Sequence, residues 1–175
     1  MLIKNISTGK NVPEAVNVLV EVPANSLSPV KYELDKESGA LFVDRFIATP
    51  MRYPCNYGFI PNTLSDDGDP IDVLVITEYP IVAGAVIPCK PIGVLLMEDE
   101  KGGDEKIVAV PVEKMNSEYS GLSEIDSVPE ILLNKIRHFF EHYKDLEKGK
   151  WVKVSGFRNS EEAKRKIREA VERAR

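Results

Sequence analysis

Cysteine and histidine are both scarce in this chain, at two residues each among 175. Cys55 and Cys89 cannot by themselves staple a disulfide scaffold, so both are expected as free buried thiols. Positive charge is not in excess. The formal net charge is −5, which argues against nonspecific binding to nucleic acid or to an anionic membrane. Long apolar runs are missing, and none approaches the ~20 residues of a membrane span. The opening Met1-Leu2-Ile3-Lys4-Asn5 lacks the apolar stretch of a signal peptide, so a cytoplasmic location is expected. Internal repeats, low-complexity tracts and linkers are absent too. What remains is an ordinary hydrophobic fraction of 43%, enough for a core, and a length that suits a single domain over residues 1–175.

The first two thirds of the chain read as short strands between turns. Val16 to Val22 is strongly β-like and is followed by Pro23. Tyr32 to Asp35 alternates, Ser38-Gly39 marks a turn, and Leu41 to Phe46 continues as a strand. Ile71 to Thr77, Ile92 to Met97 and Ile107 to Val112 are further strand candidates. Many short β-rich runs punctuated by Gly and by twelve prolines favour a barrel or sandwich over a parallel α/β sheet. Two helices are predicted in the C-terminal part. One opens near Pro129 and runs to about Leu146, with Leu132, Leu133, Ile136, Phe139, Phe140 and Tyr143 at helical spacing. The other starts after Asn159, with Glu162 as a capping-box partner. Lys150 to Val154 looks like one more strand between them.

The most informative stretch is Asp66-Asp67-Gly68-Asp69-Pro70-Ile71-Asp72. It sets four carboxylates within seven residues, just before the apolar run Val73-Leu74-Val75-Ile76. Two like unit charges 4 Å apart repel by roughly 4 kcal/mol at an effective dielectric near 20. A fold that gathers such groups neutralises them with a hard divalent cation, and oxygen ligands suit Mg2+ or Ca2+. A solvated acidic turn is the plain alternative. In extended chain, Asp67 and Asp69 project to one side about 6–7 Å apart. That spacing suits ligands around a pair of ions ~3.5–4 Å apart. Pro70 biases Asp69 toward an extended conformation.

Other charged sets are ambiguous taken singly. Asp99 to Lys106 is acidic and follows a strand candidate, as hydrophilic hairpin loops often do. Glu21, Lys31, Glu33 and Arg45 lie on strand-like segments and fit a sheet face open to water equally well. The aromatic loop Met51 to Phe59 offers Tyr53 and Tyr57 either as donors to an anion or as packing. Together the sets say more. Lys31, Arg45, Lys106 and Lys144 with nearby tyrosines suit phosphate oxygens. Carboxylates would repel an anionic substrate unless metal ions came between them, and Mg2+ clamping phosphate against aspartates resolves the conflict. Two rival motifs are weaker. His138-Phe139-Phe140-Glu141-His142 matches the H-x-x-E-H pattern of some zinc peptidases, on a helix that also carries a core stripe. An EF-hand register from Asp67 fails at its sixth position, where Asp72 replaces the required glycine.

Asp67-Gly68-Asp69-Pro70-Ile71-Asp72-Val73 fits the D-x-D-P-x-D-x signature of the soluble family I inorganic pyrophosphatases. Glu21-Val22-Pro23-Ala24-Asn25, Lys31-Tyr32-Glu33, Asp44-Arg45, Tyr53 to Gly58 and His138 to Val154 resemble the prokaryotic branch in the same order. The resemblance covers nearly the whole chain. It implies a mainly β (α+β) fold, a small closed OB-like β-barrel with flanking helices, and assembly as a homo-oligomer, commonly a hexamer. It implies hydrolysis of pyrophosphate to two orthophosphates with several Mg2+ ions per site. By the same resemblance Asp67, Asp72 and Asp104 hold the activating metal, and Asp72 bridges to a second. Asp99 and Asp104 serve ions that arrive with the substrate, and Glu21, Glu33 and Glu100 order metal-bound waters. Lys31, Arg45, Tyr57, Tyr143 and Lys144 match phosphate-binding positions, with Tyr53 and Lys106 around them. Asp69 is the general base by resemblance alone, because spacing cannot choose it over Asp67 or Asp72. A non-catalytic OB-like oligonucleotide-binding module remains as an alternative from another class, disfavoured by the acidic balance.

Overall fold

The computed structural model describes residues 5–175, so the opening Met1 to Asn5, read as lacking a signal-peptide stretch, lies outside the described residues but for Asn5. Five strands close a ring. β1 (Val16–Val22) pairs with β4 (Asn56–Phe59), β4 with β5 (Asp72–Val75), β5 with β8 (Lys106–Pro111), and β8 with β6 (Val86–Asp99), which returns to β1. Every pairing in the ring is antiparallel except β5–β8. β7 (Gly102–Gly103) and β9 (Val152–Arg158) extend the sheet along the far half of β6. β2 (Val30–Leu34) and β3 (Leu41–Phe46) form a separate two-stranded hairpin. α1 (Glu130–His142) and α2 (Ser160–Arg173) flank the barrel.

Strict alternation on buried strands divides the core in two. On β5 and β8, Leu74, Val108 and Val110 join a cluster with Ile136, Phe139 and Phe140 of α1. Val73, Val75, Ile107 and Ala109 face the other way, onto Ala163, Ile167 and Ala170 of α2. Strands covered on both faces read as continuous apolar runs, which is why Val73 to Ile76 carries no polar interruption.

Five elements differ from the sequence reading. The aromatic segment expected as a loop ends in β4, which is buried along its whole length. Its Gly58 is required by contact: a Cβ there would stand 2.0 Å from the Leu19 carbonyl oxygen across the ladder. β6 runs for 14 residues rather than from Ile92 to Met97. Proline is rare inside a strand, but the register shifts between Pro91 and Gly93, and a bulge accommodates a residue without an N–H. α1 stops at His142, not Leu146, and Tyr143 is its C-cap. β9 begins two residues later than read and extends to Arg158. At α2 the Asn159 side chain accepts from Glu162 N–H at 3.1 Å, whereas the Glu162 carboxylate turns to Arg165, so only half of the expected capping box forms.

Gly58→Ala should destabilise the fold by about 3 kcal/mol or more, because backbone rather than a flexible side chain blocks the new methyl. Gly121→Ala, whose Cβ would meet nothing within 4 Å, is the control. Urea unfolding of the two variants checks this, and equal midpoints would contradict it.

Candidate active site

One cleft of about 130 Å3 opens at the side of the barrel. Glu21 enters it from β1, Lys31 and Glu33 from β2, Arg45 from β3, and Tyr57 from β4. Asp67 and Asp69 come from the loop before β5, and Asp72 starts that strand. Asp99 ends β6, Glu100 follows it, and Asp104 and Lys106 lie at the entrance to β8. Tyr143 and Lys144 project from the turn after α1, and Tyr53 completes the floor. Every site residue expected from the sequence therefore lines the same cleft.

The loop that carries Asp67 and Asp69 departs from the extended geometry expected for it. Gly68 sits at φ 88°, in the left-handed region that glycine adopts without strain. The chain turns back there, with Ser65 N–H donating to Asp69 C=O at 2.7 Å. Asp67 Oδ1 accepts from the Asp69 amide at 3.0 Å, an Asx turn. The two carboxylates thus have different neighbours. Ile71, 1% exposed, anchors the end of the turn, and its N–H donates to Thr63 Oγ1 at 3.1 Å.

Strand register builds the centre of the cleft. The parallel pairing of β5 and β8 sets Asp72 opposite Lys106. Lys106 Nζ lies 2.5 Å from Asp72 Oδ2 and also contacts Asp104 Oδ1, two residues earlier in the connection that leads into β8. Burial opposes the charge on Lys106, yet the two aspartates outweigh it and hold the ammonium above its usual range. Asp67 shows the opposite imbalance: burial, with Asp69, Asp72 and Asp104 nearby, raises its pKa against the Asp69 N–H. Burial pushes the Tyr53 and Tyr57 hydroxyls well up, so both are neutral donors.

The rim is paired in the same way. Lys144 Nζ contacts Asp99 Oδ2 at 2.7 Å with both side chains buried. Burial raises the Asp99 pKa, but the Lys144 hydrogen bond overcomes this and leaves it below the usual value. Glu100 is held at about 2 despite desolvation, chiefly by the Lys150 hydrogen bond, then by its own backbone N–H and by Lys144. Its Oε2 is buried without a hydrogen bond, with Lys144 Nζ 3.7 Å away. Asp44 Oδ2 accepts from Lys31 and from Arg45, each at 2.9 Å, and Arg45 also reaches Glu147 at 3.2 Å. Sequence reasoning missed Lys36, Lys101 and Lys150, which also line the cleft. They occur in charged turns such as Asp35-Lys36-Glu37, where composition alone reads as solvated surface.

Among the described residues no three His, Cys, Asp or Glu side chains close on one point. Asp72 and Asp104 instead converge on an ammonium, a cation of lower charge held by oxygen donors. That arrangement, the crowded Asp67 and the Glu100 oxygen left without a hydrogen bond fit a site built for hard cations. His138 and His142 lie with ring centroids 4.7 Å apart, but exposed His142 contacts Asp145 at 2.8 Å, away from the cleft residues. Asp67 to Glu78 contains strand β5 rather than an EF-hand loop.

A closed barrel whose cleft mixes carboxylates, cations and neutral phenols defines an enzyme that handles a phosphate-type anion. The family model for inorganic pyrophosphatase matches residues 18–175. An inorganic pyrophosphatase of Xanthomonas campestris pv. campestris is 59% identical over 96% of this chain and 94% of its own. That of Escherichia coli strain K12 is 58% identical over 100% of this chain and 99% of its own. The solved structure of an inorganic pyrophosphatase from Coxiella burnetii superimposes with a TM-score of 0.94 at 48% identity, covering 97% of this chain and 100% of that one. The chain belongs to the inorganic pyrophosphatase family, with its OB-like fold, and is a hydrolase that splits inorganic pyrophosphate into two orthophosphates. The zinc-peptidase and non-catalytic binding-module readings fall with that membership.

Glu21 generates a pH prediction. It is 5% exposed, and its Oε1 accepts from Leu34 N–H at 2.7 Å. Burial raises its pKa from 4.5 to about 8, against the Leu34 bond. Between those values the folded protein keeps this proton and the unfolded chain does not. The group therefore lowers stability as pH rises through that window, by on the order of a few kcal/mol. Glu21→Gln retains the oxygen acceptor, so in EDTA its urea midpoint should rise relative to wild type from pH 5 to pH 8.5. A difference independent of pH would contradict this.

Proposed function

We propose that the cleft hydrolyses pyrophosphate with several Mg2+ ions, held by Asp67, Asp72 and Asp104, with Asp99 and Asp104 serving ions that arrive with the substrate. The observation that carries this reading is the convergence of Asp72 and Asp104 on a buried cation beside the crowded Asp67. Bound there, Mg2+ supplies charge neutralisation and a water of lowered pKa. Glu21, Glu33 and Glu100 orient waters around the ions.

Lys31, Arg45, Tyr57, Tyr143 and Lys144 bind the phosphate oxygens, with Tyr53 and Lys106 supporting them. Asp44 presets Lys31 and Arg45 from below, so their charges need little rearrangement as the anion enters. Asp69 accepts the proton of the attacking water. The new P–O bond forms in line with the bridging oxygen, that bridge breaks, and the second phosphate leaves without a covalent enzyme intermediate. The protein works as one domain over residues 1–175, in the cytoplasm, as a homo-oligomer, a hexamer by resemblance. It uses neither nucleic acid nor membrane. The acidic balance agrees with this.

Orthophosphate release from pyrophosphate should require Mg2+ and cease in EDTA, with ATP and a phosphomonoester as poor competitors. Full activity after rigorous chelation would overturn the metal assignment. Asp69→Asn should lose ~10²-fold or more in kcat. Asp72→Asn should raise the Mg2+ concentration for half-activity, and an unchanged titration would reject its role as a ligand.

A further inference from the structure

Lys36 stands in the turn after β2, outside the barrel, and enters the cleft from the hairpin side. Its Nζ lies 2.7 Å from Asp69 Oδ1. No other hydrogen bond reaches the Asp69 carboxylate among the described residues: the Asp67 side chain binds the Asp69 amide, and Asp72 is engaged by Lys106. Asp67, Asp69 and Asp72 are thus held from three places, and of these three only Asp69 takes its partner from the hairpin across the cleft.

The pair is open to water, with side-chain exposures of 47% for Lys36 and 55% for Asp69. Such a pair contributes little to folding. Its effect is directional. A carboxylate on a turn samples several orientations, and one charge-assisted bond selects among them. A proton acceptor must sit within hydrogen-bond reach of the attacking water, so orientation translates into rate.

We infer that Lys36 is a positioning residue that fixes the Asp69 carboxylate toward the attacking water, so that the β2–β3 hairpin orients the base as well as carrying phosphate-binding cations. This rests on the reading of Asp69 as general base. Binding of pyrophosphate itself is left to Lys31, Arg45 and Lys144.

The experiment is a double-mutant cycle on the full chain at saturating Mg2+, with thermal unfolding measured in parallel. Lys36→Ala should lower kcat about five- to tenfold, with KM changed less than about twofold and the melting temperature unaltered. Lys36→Arg, which keeps a donor, should recover to within about twofold of wild type. In an Asp69→Asn background, Lys36→Ala should cost nothing further, because its effect passes through Asp69. Three results would overturn the inference: unchanged or raised kcat in Lys36→Ala, an effect confined to KM, or the same fold loss in the Asp69→Asn background. If Asp69→Asn is impaired and Lys36→Ala is not, only the inference fails. If Asp69→Asn turns over like wild type, the base assignment fails first and takes the inference with it.

Discussion

The structure depends on placing opposite charges side by side where water is scarce. Lys106 is nearly buried, and it is tolerable there only because Asp72 and Asp104 flank it. The reverse also holds: two aspartates so close together need a cation between them. Lys144 with Asp99 repeats the device at the rim, and Asp44 repeats it under Lys31 and Arg45. A cleft balanced in this way can accept both hard cations and a polyanion, since each adds charge beside a group of the opposite sign.

Barrel closure makes that balance possible. The ring brings β5 and β8 into parallel register, although the two strands are separated by all of β6. Asp72 and Lys106 become neighbours only there. The aromatic floor is fixed by α1, whose Phe139 stacks on Tyr143 with centroids 5.1 Å apart and also contacts Tyr53 at 4.6 Å. The same helix ends just before Tyr143 and Lys144, so its packing stripe leads directly into residues that line the cleft. Cys55 and Cys89 are buried free thiols, as their scarcity suggested, and burial drives their pKa values upward.

Much of the fold was legible because alternation and helical periodicity are local properties. β1, β3 and both helices fell close to where those patterns put them. β4 was not legible, since its glycine and flanking proline read as loop chemistry. Gly58 is there for the carbonyl of a residue 39 positions earlier, Leu19. β6 was cut short for a similar reason, since Pro91 sits at a bulge against β8. The sequence left the turn at Gly68 open beside an extended course, because Asp-Gly-Asp suits extended chain and reverse turn alike.

The sequence by itself determined which residues could do this chemistry: clustered aspartates, separated cations and tyrosines, all in the order of the family signature. It also determined the mainly β character, through short β-branched runs that leave no room for long helices in the first two thirds. Tertiary structure alone decided which charge faces which. Asp72 meets Lys106, Asp69 meets Lys36 and Asp99 meets Lys144 across separations of 34, 33 and 45 residues. Local patterns describe which way a side chain points from its own strand. Ion pairing is set by the distance between groups on different strands, and only the closed barrel specifies that distance.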